Sequence, residues 1–239
     1  MSKKRIIVTA IILALVLVIG GILAYFTDVQ TKHNKFTTGK VEILVDEPSW
    51  PGNPITNPEY DPDTNPDVPP TIEPEVPVVP NQEVNKDPQV TNLGTGEVYA
   101  FAEVVVPVKN VKIGSSQTAA PTQLFTFVNE NGTAGINAGW IEVSHTPTTL
   151  TAETENITYV FAYATHDTTT DKDKLTALTT NQTTAKPVFS KVKFADVTES
   201  EYTANGMQNQ QFEVTVNGYG IQKEGLNSTE PAVVWPEAK

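Results

Sequence analysis

Histidine, cysteine and serine carry most hydrolytic and metal chemistry in proteins, and this chain is poorly supplied with them. Its three histidines, His33, His145 and His166, stand more than four residues apart, so the paired-histidine spacing by which one helical face grips zinc is absent. Cysteine is missing altogether, which removes thiolate metal sites, disulfides and a cysteine nucleophile. Neither a Gly-x-Ser-x-Gly elbow nor a glycine-rich phosphate loop occurs. His166-Asp167 with Asp171 and Asp173 is the nearest approach to a cation site. Lys172 and Lys174 interleave those carboxylates and no loop glycine shapes the segment, which is the pattern of a solvated acidic loop tip. Trp140, Tyr219 and Trp235 could line a carbohydrate-binding surface, although core or edge positions suit aromatics at such spacing better. The Asn-x-Thr sequences at Asn131, Asn156, Asn181 and Asn227 reflect threonine richness rather than glycosylation. No catalytic, cofactor-binding or metal-ligating set emerges.

The elements that would have to position any site are more legible. Lys3, Lys4 and Arg5 precede an apolar run from Ile6 to Ala24 that is loosened at Gly20-Gly21, the layout of a secretory signal. The run is also long enough to span a bilayer as an uncleaved anchor, so membrane contact is expected only through an uncleaved signal. With 16 Lys+Arg against 28 Asp+Glu the formal charge is −12, and a surface that neutralises phosphates would need the opposite balance. Nucleic acid is therefore not an expected partner. Lys40–Val45 alternates polar and apolar and predicts a strand, with Val41, Ile43 and Val45 on one side. From Glu47 to Pro88 stand 12 of the 18 prolines among many acids, which predicts a semi-rigid spacer forming neither helix nor ladder. A motif such as Pro74-Glu-Val-Pro77 could alternatively serve a proline-binding module.

Beyond Asp87, seven runs rich in β-branched and aromatic residues predict strands: 89–92, 98–108, 124–128, 140–144, 157–164, 188–194 and 212–221. Asn217-Gly218 reads as a turn inside the last run, and Asp171–Thr180, with Leu175 and Leu178 three apart, is the best short-helix candidate. The fold class expected is all-β: an antiparallel two-sheet sandwich, jelly-roll-like, preceded by a signal helix and a Pro-rich linker. The divisions are residues 1–24, signal peptide; 25–46, a segment with one strand; 47–86, linker; 87–228, sandwich; and 229–239, tail.

Gly20-Gly21-Ile22-Leu23-Ala24-Tyr25-Phe26-Thr27-Asp28, Asn34-Lys35-Phe36-Thr37-Thr38-Gly39-Lys40-Val41-Glu42-Ile43 and Glu47-Pro48-Ser49-Trp50 together resemble the amino-terminal signature of the TasA/camelysin family. Its members are exported bacterial proteins whose signals are cut by the dedicated signal peptidase SipW. Lys86-Asp87-Pro88-Gln89-Val90-Thr91-Asn92, Leu124-Phe125-Thr126, Gly139-Trp140, Pro187 to Val192 and Tyr219 to Gly225 resemble later family segments, in order. The resemblance implies a Gram-positive-type origin, cleavage between Ala24 and Tyr25, and location in the extracellular matrix or on the cell surface. The long proline-rich linker departs from the family pattern.

TasA-like proteins assemble into fibres, so the resemblance favours a non-catalytic surface or biofilm-matrix structural protein that associates with itself or with matrix proteins. The alternatives are a secreted camelysin-type metallopeptidase and a carbohydrate-binding surface module. A strand tethered by a spacer exposes unpaired backbone groups and is free to satisfy them in another molecule. Residues Glu47 to Asp87 number 41 and would reach beyond about 100 Å in polyproline geometry. Val41, Ile43 and Val45 are accordingly read as a donor strand for a neighbouring subunit, while folding back onto their own domain remains open to the same linker.

Overall fold

Between Val98 and Val111 nearly every side chain is apolar, and most are β-branched or aromatic, a composition suited to a strand buried on both faces. A computed structural model, which describes residues 39–59, 61–72, 74–198, 207 and 210–238, makes this 14-residue strand the spine of the molecule. Ala24, Tyr25 and the signal lie outside the described residues. In chain order the strands are β1 (Ile43–Asp46), β2 (Ile55–Thr56), β3 (Thr71–Ile72), β4 (Glu83–Asn85), β5 (Gln89–Asn92), β6 (Val98–Val111) and β7 (Ala120–Gln123). They continue as β8 (Phe125–Val128), β9 (Trp140–Thr146), β10 (Asn156–Asp167), β11 (Lys172–Leu175), β12 (Ala177–Leu178), β13 (Lys191–Phe194) and β14 (Thr215–Gln222), and the helix α1 (Pro231–Ala238) follows.

β6 pairs antiparallel with β10, β14, β7 and β12, and β9 and β11 widen this seven-stranded sheet along β10. Its side chains divide by the two-residue period of a strand. Val98, Ala100, Ala102, Val104, Val106 and Val108 enter the main core, while Tyr99 and Phe101 enter a second cluster on the opposite side. The three-stranded sheet β4-β13-β8 closes the main core. Phe127 of β8 meets Phe161 of β10 edge-on at 5.6 Å and stacks on Phe189 at 4.6 Å. The second cluster is closed by α1, whose Val234 is 1% exposed and whose Trp235 lies 5.3 Å from Phe101 and 5.1 Å from Tyr219. Pro231 opens α1 where its missing N–H has no helical partner to lose.

The all-β antiparallel architecture expected from the sequence is what forms, and each of the seven predicted runs contains a strand. Three local expectations are corrected. Asp171–Thr180 is not helical: β11 and β12 occupy it, and Leu175 and Leu178 enter opposite clusters, as residues an odd number apart in extended chain must. Asn217-Gly218 is not a turn but the middle of β14. The proline-rich segment does form ladders. Ile55–Thr56 pairs with Thr71–Ile72, and Glu83–Asn85 pairs with β13, each in a short stretch that the prolines leave free. Burial supplies the drive at one of these, since Val84 is 7% exposed and part of the main core. Asn57, 8% exposed, ties the other together by donating to Pro69 O at 2.9 Å from its side chain and to Pro70 O at 2.9 Å from its backbone.

Candidate functional site

Apolar residues at every second position on an isolated strand need an apolar face to lie on, and Val41, Ile43 and Val45 find one within their own chain. β1 runs antiparallel to β5, with Ile43 opposite Asn92 and Asp46 opposite Gln89. Backbone bonds continue the pairing towards the amino terminus: Leu93 and Gly94 N–H donate to Glu42 O at 2.8 and 3.1 Å, and Thr95 N–H donates to Lys40 O at 3.0 Å. Asn92, fully buried, shapes this extension. Its amide nitrogen donates to Gly96 O and Leu178 O, and its oxygen accepts from Gly94 N–H. Gly94 is required by close approach, because a Cβ there would stand 2.3 Å from Lys40 O.

The floor under β1 is β14. A Cβ at Gly218 would lie 2.3 Å from Val45 Cγ2, and one at Gly220 would lie 2.7 Å from Ile43 Cγ2 and 3.4 Å from Val41 Cγ1. Two glycines at i and i+2 thus open a groove on one face of a strand, and the three apolar side chains of the arm fill it. Ile43 and Val45 are only half-buried, and Leu44, on the other side of the arm, is 48% exposed. The arm is a surface strand in a fitted slot. Sequence reading placed the arm residues on one side of a strand but missed the slot, although Gly-Tyr-Gly in an otherwise β-rich run carries the period-2 signal.

Where β1 ends, the chain folds into a tight turn. Trp50 N–H donates to Glu47 O at 3.0 Å, Asn53 N–H to Trp50 O at 3.2 Å, and the Asn53 side chain to Glu47 O at 2.7 Å. This turn presents Glu47 and Trp50 to Lys86, three residues before β5. Lys86 Nζ is 2.7 Å from Glu47 Oε2 and 4.9 Å from the Trp50 ring centroid, and its side chain is 9% exposed. Ser49 N–H donates to Asp87 Oδ1 at 2.8 Å. Gly52 lies against the indole, since a Cβ there would come within 2.5 Å of Trp50 Nε1.

The chemistry-bearing residues are scattered. His145 Nδ1 is 2.7 Å from Glu142 Oε1, and His166 stands apart from it on the β10–β11 hairpin, with Nδ1 2.9 Å from Asp173 and Nε2 3.5 Å from Asp171. The hydrogen bond to Asp173 raises the His166 pKa above its ordinary value, and the Lys174 ammonium, 2.5 Å away, holds the Asp167 carboxyl well below its own. Among the described residues no group of three or more His, Asp or Glu side chains is placed to hold a metal ion. An open concavity of about 270 Å³ beside this hairpin is lined by Glu142, Asp171, Asp173 and Glu230, whose acids share the space with Lys172. Lys172 is itself paired with Glu230 at 2.5 Å. Trp140, Tyr219 and Trp235 do not form a sugar platform together: Trp140 is 4% exposed and donates to Lys186 O, whereas Trp235 of α1 packs edge-on against Tyr219 of β14 in the second cluster.

Residues 2–51 match the family described as camelysin metallo-endopeptidase. No curated protein matches the chain, and no solved structure does. The matched stretch contains the segments between Gly20 and Trp50 on which the resemblance to the TasA/camelysin family rests. The matched stretch ends just past the arm and the turn that carries Glu47 and Trp50.

Proposed function

We propose that this protein is an exported, non-catalytic structural component of the cell surface or extracellular matrix, and that copies join by passing the Val41–Val45 arm into the groove of a neighbour. The observation that carries the reading is the fit of Val41, Ile43 and Val45 over Gly218 and Gly220 on a half-exposed surface strand. Such a strand is held by one ladder and one shallow groove, and an identical arm from a second copy would make the same contacts. The long segment between Glu47 and Lys86 gives the arm the reach to leave. Deleting Tyr25 to Val45 tests it. Assembly should be lost, and a free peptide spanning Phe36–Asp46 should bind the truncated chain as a monomer and cap its groove without linking copies, whereas a truncated chain that polymerises like the intact one would refute the mechanism.

A second reading takes the name of the matched family, a metallo-endopeptidase, at its word for this chain. Incubation with casein with and without a chelator separates the two, because chelator-sensitive cleavage belongs only to the peptidase. In either case export is expected to proceed through cleavage by a SipW-type signal peptidase, and mass spectrometry of surface protein should find Tyr25 as the first residue.

A further inference from the structure

Two of the sequence motifs, Glu47-Pro48-Ser49-Trp50 and Lys86-Asp87-Pro88, are left unused by a groove that needs only Val41 to Val45, yet they meet in space. We infer that Lys86 is a second docking point for the arm, with Glu47 and Trp50 as its plug, so that the unit which leaves and re-enters is residues 39–53 rather than the strand alone. An ammonium this deeply buried is tolerated only while a carboxylate neutralises it and an aromatic face shields it. Departure of the arm removes both groups at once. An empty receptor therefore has lost the carboxylate and the aromatic cover of Lys86 as well as the filling of its groove, and the occupant that restores both is residues 41–50 of this chain, its own or those of a second copy. The latch thereby disfavours an open monomer and couples release of one arm to capture of another. The assembly half of this statement rests on the proposed function above, whereas the latch itself is a property of the single chain.

The test is hydrogen exchange followed by mass spectrometry on the dilute, unassembled protein. Glu47→Gln should speed exchange in the peptide covering residues 40–50 by at least tenfold while β13 exchanges as before. Trp50→Leu, which keeps the ion pair, should produce a smaller increase at the same place. Combining Glu47→Met with Lys86→Met removes the charge together with its partner and should return protection of β1 towards the wild-type level. Unchanged exchange at 40–50 in Glu47→Gln would overturn the latch, and so would equal acceleration in β13, which would signal general destabilisation. Light scattering on the same variants is scored separately. An arm that opens tenfold faster without any self-association at higher concentration counts against the assembly reading and leaves the latch standing.

Discussion

Gly218 does by omission what most residues do by contact. Because Val45 is β-branched and stiff, the 2.3 Å approach that a new Cβ would make cannot be relieved by turning a flexible side chain. Gly218→Ala should therefore lift the arm at that point and cost about 1–3 kcal/mol in urea unfolding, the usual range for overpacking. Gly96→Ala is the control: like Gly218 it is not at positive φ, and its new Cβ would meet only Glu224 Oε2 at 3.9 Å, so it reports the backbone effect of replacing a glycine without lost groove depth. Another residue-scale expectation concerns His166. Its pKa is raised, with the hydrogen bond to Asp173 as the leading cause, so the stabilisation it contributes is complete below its ordinary value of 6.5 and is lost as pH rises through the higher folded-state value. An NMR titration of the imidazole should give a midpoint above 6.5, and Asp173→Asn should bring it back down. Exposure of this hairpin keeps the effect on global stability small.

At the scale of elements, α1 is a lid over one face of β6, β10 and β14 rather than a trailing tail. Trp235→Ala should uncover Phe101 and Tyr219 and destabilise the protein by about 3 kcal/mol, at the low end for an aromatic deletion because the indole is only partly buried. Chemical denaturation measures this directly. Strands such as β6 and β10 were legible in the sequence because their runs are long, apolar and β-branched, a pattern that burial on both faces enforces. β11 and β12 were misread because a leucine pair three apart fits a helix as well as an extended chain that crosses between two cores. Only the tertiary setting, Leu175 in one cluster and Leu178 in the other, decides between them. The same holds at Asn217-Gly218, a strong turn dipeptide in isolation, here overridden because the missing side chain receives Val45. The arm was readable from its alternation. Its receptor was harder to read: Gly218-Tyr219-Gly220 marks a strand face bare of side chains, but nothing near these glycines or Lys86 names the distant segment that covers them.

For the whole molecule the dominant quantity is charge. A formal charge of −12 on a chain with an isoelectric point near 4.6 makes copies repel one another, and docking an arm must proceed against that field. Screening shortens its range from roughly 30 Å at 0.01 M salt to about 8 Å at 0.15 M. Self-association should accordingly quicken several-fold over that interval, and again as pH falls towards 4.6, with light scattering as the readout. Faster association at low salt would point to a complementary charged contact in place of the apolar groove.

The closure of residues 47 and 86 onto each other also has a mechanical meaning. Those residues are separated by 39 positions yet joined at 2.7 Å, so the intervening chain is stored length. Pulled straight, it would yield on the order of 130 Å at about 3.4 Å per residue. Its restraints include the Glu47–Lys86 ion pair with Trp50 over the ammonium, the Ser49–Asp87 hydrogen bond, the Ile55–Thr56/Thr71–Ile72 ladder, Val76 and Val78 against the main core, and β4, all shorter than the ladders that flank β6 along most of its length. Under tension between neighbours the loop would pay out before the main sheet ruptured, giving each subunit a reversible reserve of extension, visible in optical tweezers as a step that precedes and is separate from unfolding of the domain.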